Sequence, residues 1–196
     1  MSTIEKLKEM ISKAEAIVIG AGAGLSSSSG FEYDGTNFLN NFKYMHDKYG
    51  YNDMYSAGFH HFDNEESYWG YWSKFIYLNR YKEGGLPLYK RLYDLIKEKE
   101  YFILTTNVDH QFQLSGFDKN RLFYTQGDYG LFQCSHCQKT FDNKNHILNM
   151  INNIDPITHE IPSSLIPVCP ICGRKLETHL HSDNNFVEDE NWNRAL

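Results

Sequence analysis

The chain has 196 residues, 41% of them hydrophobic and 15% aromatic, and 19 Lys and Arg against 25 Asp and Glu give it a formal net charge of −6. That length suffices for one sizeable core, or for a domain carrying a small insert. An acidic balance without a basic stripe disfavours nucleic acid as a main partner, and no apolar run reaches the roughly 18 residues that a membrane span needs.

The first ten residues, Met1 to Met10, read as a charged amphipathic helix and not as a signal peptide, so a soluble, cytoplasmic protein is expected. Ile4, Leu7, Met10 and Ile11 line one face of that helix. A strand follows at Ala16–Ile19, its apolar β-branched run marking a buried parallel strand. Gly20, Gly22 and Gly24 then let the backbone approach a ligand closely, and Ser26 to Ser29 supply caps and hydroxyls. A helix that starts there presents free N–H groups to an anion, so a phosphate is the natural guest. The order helix, strand, Gly-rich turn, helix predicts a doubly wound α/β sheet.

Residues 36–85 change character. Aromatic residues crowd from Phe38 to Tyr81, which predicts two to four helices packed as a cap, with most of the rings filling its core and some free to wall a pocket. The adjacent His60 and His61 point in different directions on any element, so no joint metal site is expected. Pro87 opens a helix with Leu88, Leu92, Leu95 and Ile96 on one face. Strands at Tyr101–Thr105 and Leu122–Tyr124 run into two polar stretches, 106–112 and 125–130. Ligands sit at the carboxyl ends of strands in open α/β sheets, so the three strand ends are expected to converge on one crevice.

The only four cysteines form two knuckles, Cys134-x2-Cys137 and Cys169-x2-Cys172, separated by 31 residues. Two such knuckles complete a tetrahedral S4 site for Zn2+, closed and therefore structural. His136 and His159 are not needed as ligands. A disulfide or redox role is disfavoured in a cytosolic chain. Segment 131–175 is thus a zinc lobe, and its polar middle, 142–164, reads as a mobile loop.

Taken together these residues resemble the sirtuin family. Gly22-Ala-Gly-Leu-Ser26 with Ser29-Gly-Phe31 is similar to the family's first NAD loop, Thr105-Thr-Asn-Val-Asp109 to its Thr-Gln-Asn-Ile-Asp strand end, and the four cysteines to its zinc ribbon. A dehydrogenase fingerprint fails, because Leu25 stands where the third glycine belongs. Departures are equally informative. Gln126-Gly127 occupies the place of the family's His-Gly, whose His is the general base of deacylation, and no Pro-Asp-Phe-Arg follows the first loop. No Phe-Gly-Glu strand of the peptide-clamping kind follows the zinc lobe either. Gly30-Phe-Glu-Tyr33 and Thr125-Gln-Gly-Asp-Tyr-Gly130 instead resemble the macrodomain-linked, class M sirtuins of bacteria and fungi.

That resemblance implies an α/β fold: a Rossmann-like NAD-binding unit (1–35 and 86–130), an inserted aromatic helical cap (36–85), a four-cysteine zinc lobe (131–175) and a return segment (176–196), with the C-terminal part of the sheet expected to be missing. It implies NAD-dependent protein mono-ADP-ribosylation of a lipoylated, glycine-cleavage H-like carrier, with a macrodomain hydrolase and a lipoate ligase as operon partners. Gly22, Ala23, Gly24, Leu25, Ser26, Tyr33, Asn107, Asp109 and Gln126 would bind NAD, with Asn107 and Gln126 catalytic. Asn107 would hold the nicotinamide amide or a reacting water, Asp109 the carboxamide, and Tyr33 would cover the pocket. His110, next to Asp109, should point away from the site. The alternatives are an NAD-dependent deacylase and a non-catalytic, zinc-stabilised NAD-binding or interaction module.

Overall fold

Helix α1 (Thr3–Lys13) starts at a capping box in which Ser2 and Glu5 each satisfy the other's backbone N–H. Strand β1 (Ala16–Ala21) follows. In this computed structural model, which describes residues 2–182, 184–189 and 192, β1 pairs in parallel with β2 (Glu100–Thr105), and β2 in parallel with β3 (Leu122–Tyr124). Helix α2 (Ala23–Ser28) leaves β1, and the long crossover from β1 to β2 carries the helical cap.

One face of this sheet is covered. Ile17, Ile19 and Ala21 of β1 join Tyr101 and Ile103 of β2 in a core with Phe112 and Phe117. The other face corrects the expectation of a fully buried first strand: Val18 is 69% exposed and Leu104 also reaches solvent. An unbroken apolar run marks a strand suited to burial on both sides, but it cannot say which side is covered here. The apolar face of α1 is exposed likewise at Ile4, Leu7 and Met10. Its C-terminal end is tied to the sheet by the Lys99 ammonium, which donates to the Ser12 and Ala14 carbonyls.

The cap is built from α3 (Gly35–Tyr49), α4 (Met54–Gly58) and α5 (Glu65–Ile76), with a π-helical turn at Tyr77–Tyr81. The Asp53 and Asn64 side chains cap α4 and α5 by accepting from Ser56 and Ser67 N–H. Phe38, Phe42, Met45, Tyr71 and Phe75 form the cap core, while Tyr55 and Phe59 remain exposed. Helix α6 (Pro87–Ile96) leads into β2. Its buried side is centred on Tyr89 and Ile96, and Leu95, expected on the buried face, points to solvent. The short α7 (Gln111–Leu114) follows β2.

A second, antiparallel sheet carries the cysteine lobe, with β4 (Gly127–Cys134) between β5 (Lys139–Asp142) and β6 (Glu177–Leu180). The polar stretch 125–130 is itself mostly strand, and only Thr125 and Gln126 connect β3 to β4. Helix α8 (Lys144–Ile151) likewise replaces the expected mobile loop. Ile147 and Met150, one turn apart, are fully buried in one core with Trp69, Ile76 and Phe132. Ile147, Met150 and Ile151 stand at i, i+3 and i+4, a helical stripe too short to stand out between its polar flanks.

Beyond β6 the chain returns toward the parallel sheet. The Tyr124 hydroxyl donates to Asp189, and Trp192 packs edge-on against Phe123, centroids 4.8 Å apart. The end of the return segment falls largely outside the described residues.

Gly70 on α5 marks where the lobe meets the cap, because an added Cβ would lie 2.0 Å from the His159 carbonyl oxygen. Gly70→Ala should cost about 1–3 kcal/mol through forced separation, read as a lowered chemical-denaturation midpoint. Gly84→Ala, where a Cβ meets nothing within 4 Å, is the control and should leave the midpoint within error.

Candidate functional site

The carboxyl ends of β1 and β2 lie side by side, joined by the Thr106 N–H donating to the Ala21 carbonyl at 3.1 Å. Gly22 caps α2 with no side chain, Ala23 opens the helix, and a Cβ on Gly24 would meet nothing within 4 Å. The backbone at Gly24 therefore faces open space, a shelf onto which a ligand can settle, while Gly22 is closed in by Thr106, whose Oγ1 would lie 3.3 Å from a Cβ there. Leu25 instead turns under the sheet into the core.

Ser26, in the first turn of α2, points inward and is fully buried. Its Oγ donates to Asp109 Oδ2 at 2.5 Å and lies 2.7 Å from the Tyr89 hydroxyl. Asn107 Nδ2 donates to the Tyr89 oxygen at 2.9 Å and to the Gly22 carbonyl at 3.0 Å. Asp109 Oδ1 accepts from the Gln111 N–H. Burial raises the Asp109 pKa from its ordinary value, and the Ser26 and Gln111 bonds oppose that shift. The Tyr33 hydroxyl also approaches Ser26 and Asp109; burial and the Asp109 charge push its pKa up, so it stays a neutral phenol. Phe31 stacks on the Tyr33 ring, centroids 5.6 Å apart.

The structure thus brings Ser26, Tyr33, Asn107 and Asp109 into one polar cluster beside the glycine shelf. Gln126 is not bonded into it. This side chain is exposed and lines a cavity of about 540 Å³ between cap and lobe, whose walls include Tyr55, Trp72, Phe75, Tyr129 and His181. His181 Nδ1 lies 3.2 Å from the Thr125 carbonyl. Sequence reasoning passed over both Tyr89 and His181. Tyr89 looked like one more apolar helix position, and His181 sits outside every motif, so neither carries a local signal.

His110 adopts a left-handed conformation, φ 66°, and turns to Asp128, with Nδ1 2.9 Å from Oδ2. Arg80 of the π-helical turn donates through Nε to Asp128 Oδ1 at 3.2 Å, and the Gly130 N–H donates to the same oxygen. Burial alone would raise the Asp128 pKa, but the His110 bond and charge and the Arg80 charge outweigh it and hold the carboxyl well below its usual range.

Cys134 and Cys172 sulfurs are 3.8 Å apart and those of Cys137 and Cys169 3.9 Å, with the ligand atoms of all four cysteines within 4.8 Å of one another. A tetrahedral S4 shell at a Zn–S distance of about 2.3 Å places sulfurs about 3.8 Å apart, so this donor set suits Zn2+. The spacing is far too long for a disulfide, about 2.05 Å. Gly173, φ 71°, supplies the left-handed turn that closes the second knuckle. His136 and His159 are outside the cluster, and His159 stacks on Tyr44 at 3.9 Å.

No family model matches the chain. It is 37% identical over 195 residues to a protein ADP-ribosyltransferase of Staphylococcus aureus, covering 98% of this chain and 61% of that protein. It is 32% identical over 188 residues to a protein of Fusarium oxysporum described as "Probable bifunctional ADP-ribose hydrolase/ADP-ribosyltransferase", covering 91% of this chain and 31% of the other. The chain therefore spans about three fifths and under a third of these relatives. Among solved structures it resembles a Sir2 homologue in complex with NAD, TM-score 0.62 at 16% identity, over 99% of this chain and 67% of that one. A Sir2 homologue variant bound to 2'-O-acetyl ADP-ribose gives a TM-score of 0.64 at 17% identity, over 100% of this chain and 69% of the other. These likenesses establish the fold. Among the described residues no helix is long and apolar enough to cross a membrane.

Two outcomes follow from the geometry. Asp128→Asn leaves Arg80 buried without its counter-charge and should destabilise the protein by about 3–5 kcal/mol at neutral pH. Because the folded pKa of Asp128 is depressed, its contribution is present above the unfolded carboxylate pKa, about 3.9, and is lost as pH falls through the folded value. Urea melts across pH should accordingly show a constant gap between variant and wild type that narrows only in strong acid. Stripping metal with a chelator, or Cys172→Ser, should lower the melting temperature and release Zn2+ that a colorimetric chelator detects; a melt indifferent to both would remove zinc from the site.

Proposed function

We propose that this chain, Sir2-like in fold and in sequence, is a sirtuin-type NAD-dependent protein mono-ADP-ribosyltransferase acting on a lipoylated, glycine-cleavage H-like carrier protein. The observation that carries this reading is Gln126, an amide at the acceptor cavity where a deacylase needs a base. NAD supplies an ADP-ribosyl group as nicotinamide departs. The backbone of Gly22, Ala23 and Gly24 offers N–H groups to its phosphates. Ser26, Asp109 and Tyr33 form the wall that receives the carboxamide, and Asn107 orients the reacting end. Gln126 can hydrogen-bond a ribose hydroxyl but has no pKa with which to take its proton, a role commonly worth about 10²–10⁴ in rate. Transfer to an external nucleophile needs no such ribose deprotonation.

The acceptor cavity supports the choice of carrier. Trp72, Phe75 and Tyr129 make its wall aromatic, suited to the long aliphatic stem and ring of a lipoyl group. The Zn2+ of the Cys134–Cys137–Cys169–Cys172 site serves folding of the lobe. Residues 1–35 and 86–130 act as the NAD unit, 36–85 as the cap, 131–175 as the zinc lobe and 176–196 as the return, in a cytoplasmic protein. A macrodomain hydrolase removing the mark and a lipoate ligase preparing the acceptor complete the reading. The Staphylococcus relative supports transfer, and the Fusarium relative's name joins transfer to hydrolysis.

With labelled NAD, lipoylated carrier protein should acquire label and its unlipoylated form should not. Asn107→Ala should reduce labelling by about 10²-fold or more, the range for removing an oriented polar group at a reacting centre. Release of acetyl-ADP-ribose from an acetylated peptide would favour the deacylase instead. Calorimetry finding a folded, zinc-loaded protein that binds no NAD would favour the non-catalytic module.

A further inference from the structure

Tyr89 lies on α6, outside every motif that resembles a known family. It is fully buried, 0% exposed, and its ring packs edge-on against Phe112 with centroids 4.9 Å apart. Yet its hydroxyl sits between Ser26 Oγ, at 2.7 Å, and Asn107 Nδ2, at 2.9 Å.

Proton counting fixes the direction of each bond. An ionised Asp109 can only accept, so the single hydroxyl proton of Ser26 goes to Asp109 Oδ2. Tyr89 must then donate to Ser26, which leaves the Tyr89 oxygen to accept from Asn107 Nδ2. The second Nδ2 proton is held by the Gly22 carbonyl at 3.0 Å. Both amide protons of Asn107 are thereby engaged, and Oδ1 is the atom left without a hydrogen-bond partner among the described residues. Burial and the neighbouring Asp109 push the Tyr89 pKa up to about 12, so the phenol keeps the proton on which this order depends. Nδ2 also lies 3.3 Å from Ser26 Oγ; without the Tyr89 hydroxyl, one amide proton keeps only that longer contact, and the Gly22 carbonyl alone is left to set the face of the Asn107 amide.

We propose that Tyr89 is a positioning residue: its hydroxyl orders the chain Asn107–Tyr89–Ser26–Asp109 so that Asn107 offers its Oδ1, an acceptor, to a hydroxyl of the NAD ribose or to a reacting water. This rests on the NAD-dependent reading above and adds to it a residue that touches no substrate.

The test is Tyr89→Phe in the full chain, which keeps the ring packing. Two measurements are made on wild type and variant: nicotinamide release from NAD, and the two side-chain amide proton signals of Asn107 by NMR, identified by their loss in Asn107→Ala. In wild type both amide protons should be protected from solvent exchange. In Tyr89→Phe one should lose protection, kcat should fall by about tenfold, the size of one lost hydrogen bond in the transition state, and the KM for NAD should change by less than about twofold. An unchanged melting temperature excludes general damage to the core. Unaltered Asn107 signals, or wild-type turnover in the variant, would overturn the inference. A wild type that releases no nicotinamide would sink the NAD reading itself, and the Asn107 signals would still decide whether Tyr89 holds the amide.

Discussion

The buried carboxylate of Asp128 is the group through which the separate parts of this molecule are held in register. It stands in β4 of the lobe sheet, yet it receives His110 from the loop after β2 and Arg80 from the π-helical turn of the cap. Its own N–H donates to His179 Nδ1 in β6, and His179 Nε2 donates in turn to the Val187 carbonyl of the return segment. Burial lowers the His179 pKa, which keeps the ring neutral and able to play both roles. Cap, parallel sheet, lobe and return segment thus meet at one charge. A buried ion pair of this kind adds little net stability over a hydrocarbon contact, but breaking it is costly. Its value lies in geometry: one arrangement satisfies every partner.

That geometry matters because of what is adjacent in the chain. His110 follows Asp109 directly, and Asp128 comes two residues after Gln126. Clamping His110 to Asp128 therefore fixes the end of β2 against the start of β4, reinforced by the Tyr129 N–H donating to the Val108 carbonyl at 3.0 Å. On one side of this clamp lies a polar cluster of Ser26, Tyr33, Tyr89, Asn107 and Asp109 beside a glycine shelf. On the other lies a cavity walled by aromatic rings. Burial and the charges nearby keep Tyr129, between them, a neutral phenol. The clamp sets the distance between the polar cluster and the aromatic cavity, the two halves that the proposed group transfer would use.

Legibility in the sequence followed how local each constraint was. The cysteine knuckles were legible because two thiolates at i and i+3 define half of a tetrahedron by themselves. The Gly-Ala-Gly-x-Ser turn and the Thr-Asn-Val-Asp strand end were legible because each is a contiguous stretch whose chemistry is unusual for a core. Helix α8 was not, since its apolar residues, Ile147, Leu148, Met150 and Ile151, span little more than one turn between polar flanks. Nor was the exposure of Val18, because an apolar strand looks the same whether one face or both are covered.

The sequence by itself determined the donor sets: four thiolates in two pairs, an amide at Gln126 in place of an imidazole, and a serine, an asparagine and an aspartate at the ends of parallel strands. Composition and short-range spacing suffice for these, because each depends on residues that are neighbours along the chain. Only the tertiary structure decided how they are used. It separated Gln126 from the Ser26–Asp109 cluster, turned His110 away to Asp128, and inserted Tyr89 from a distant helix between Ser26 and Asn107. Those outcomes depend on contacts across 18 and 63 positions of sequence, where direction and proton count, and not residue type, settle which group meets which.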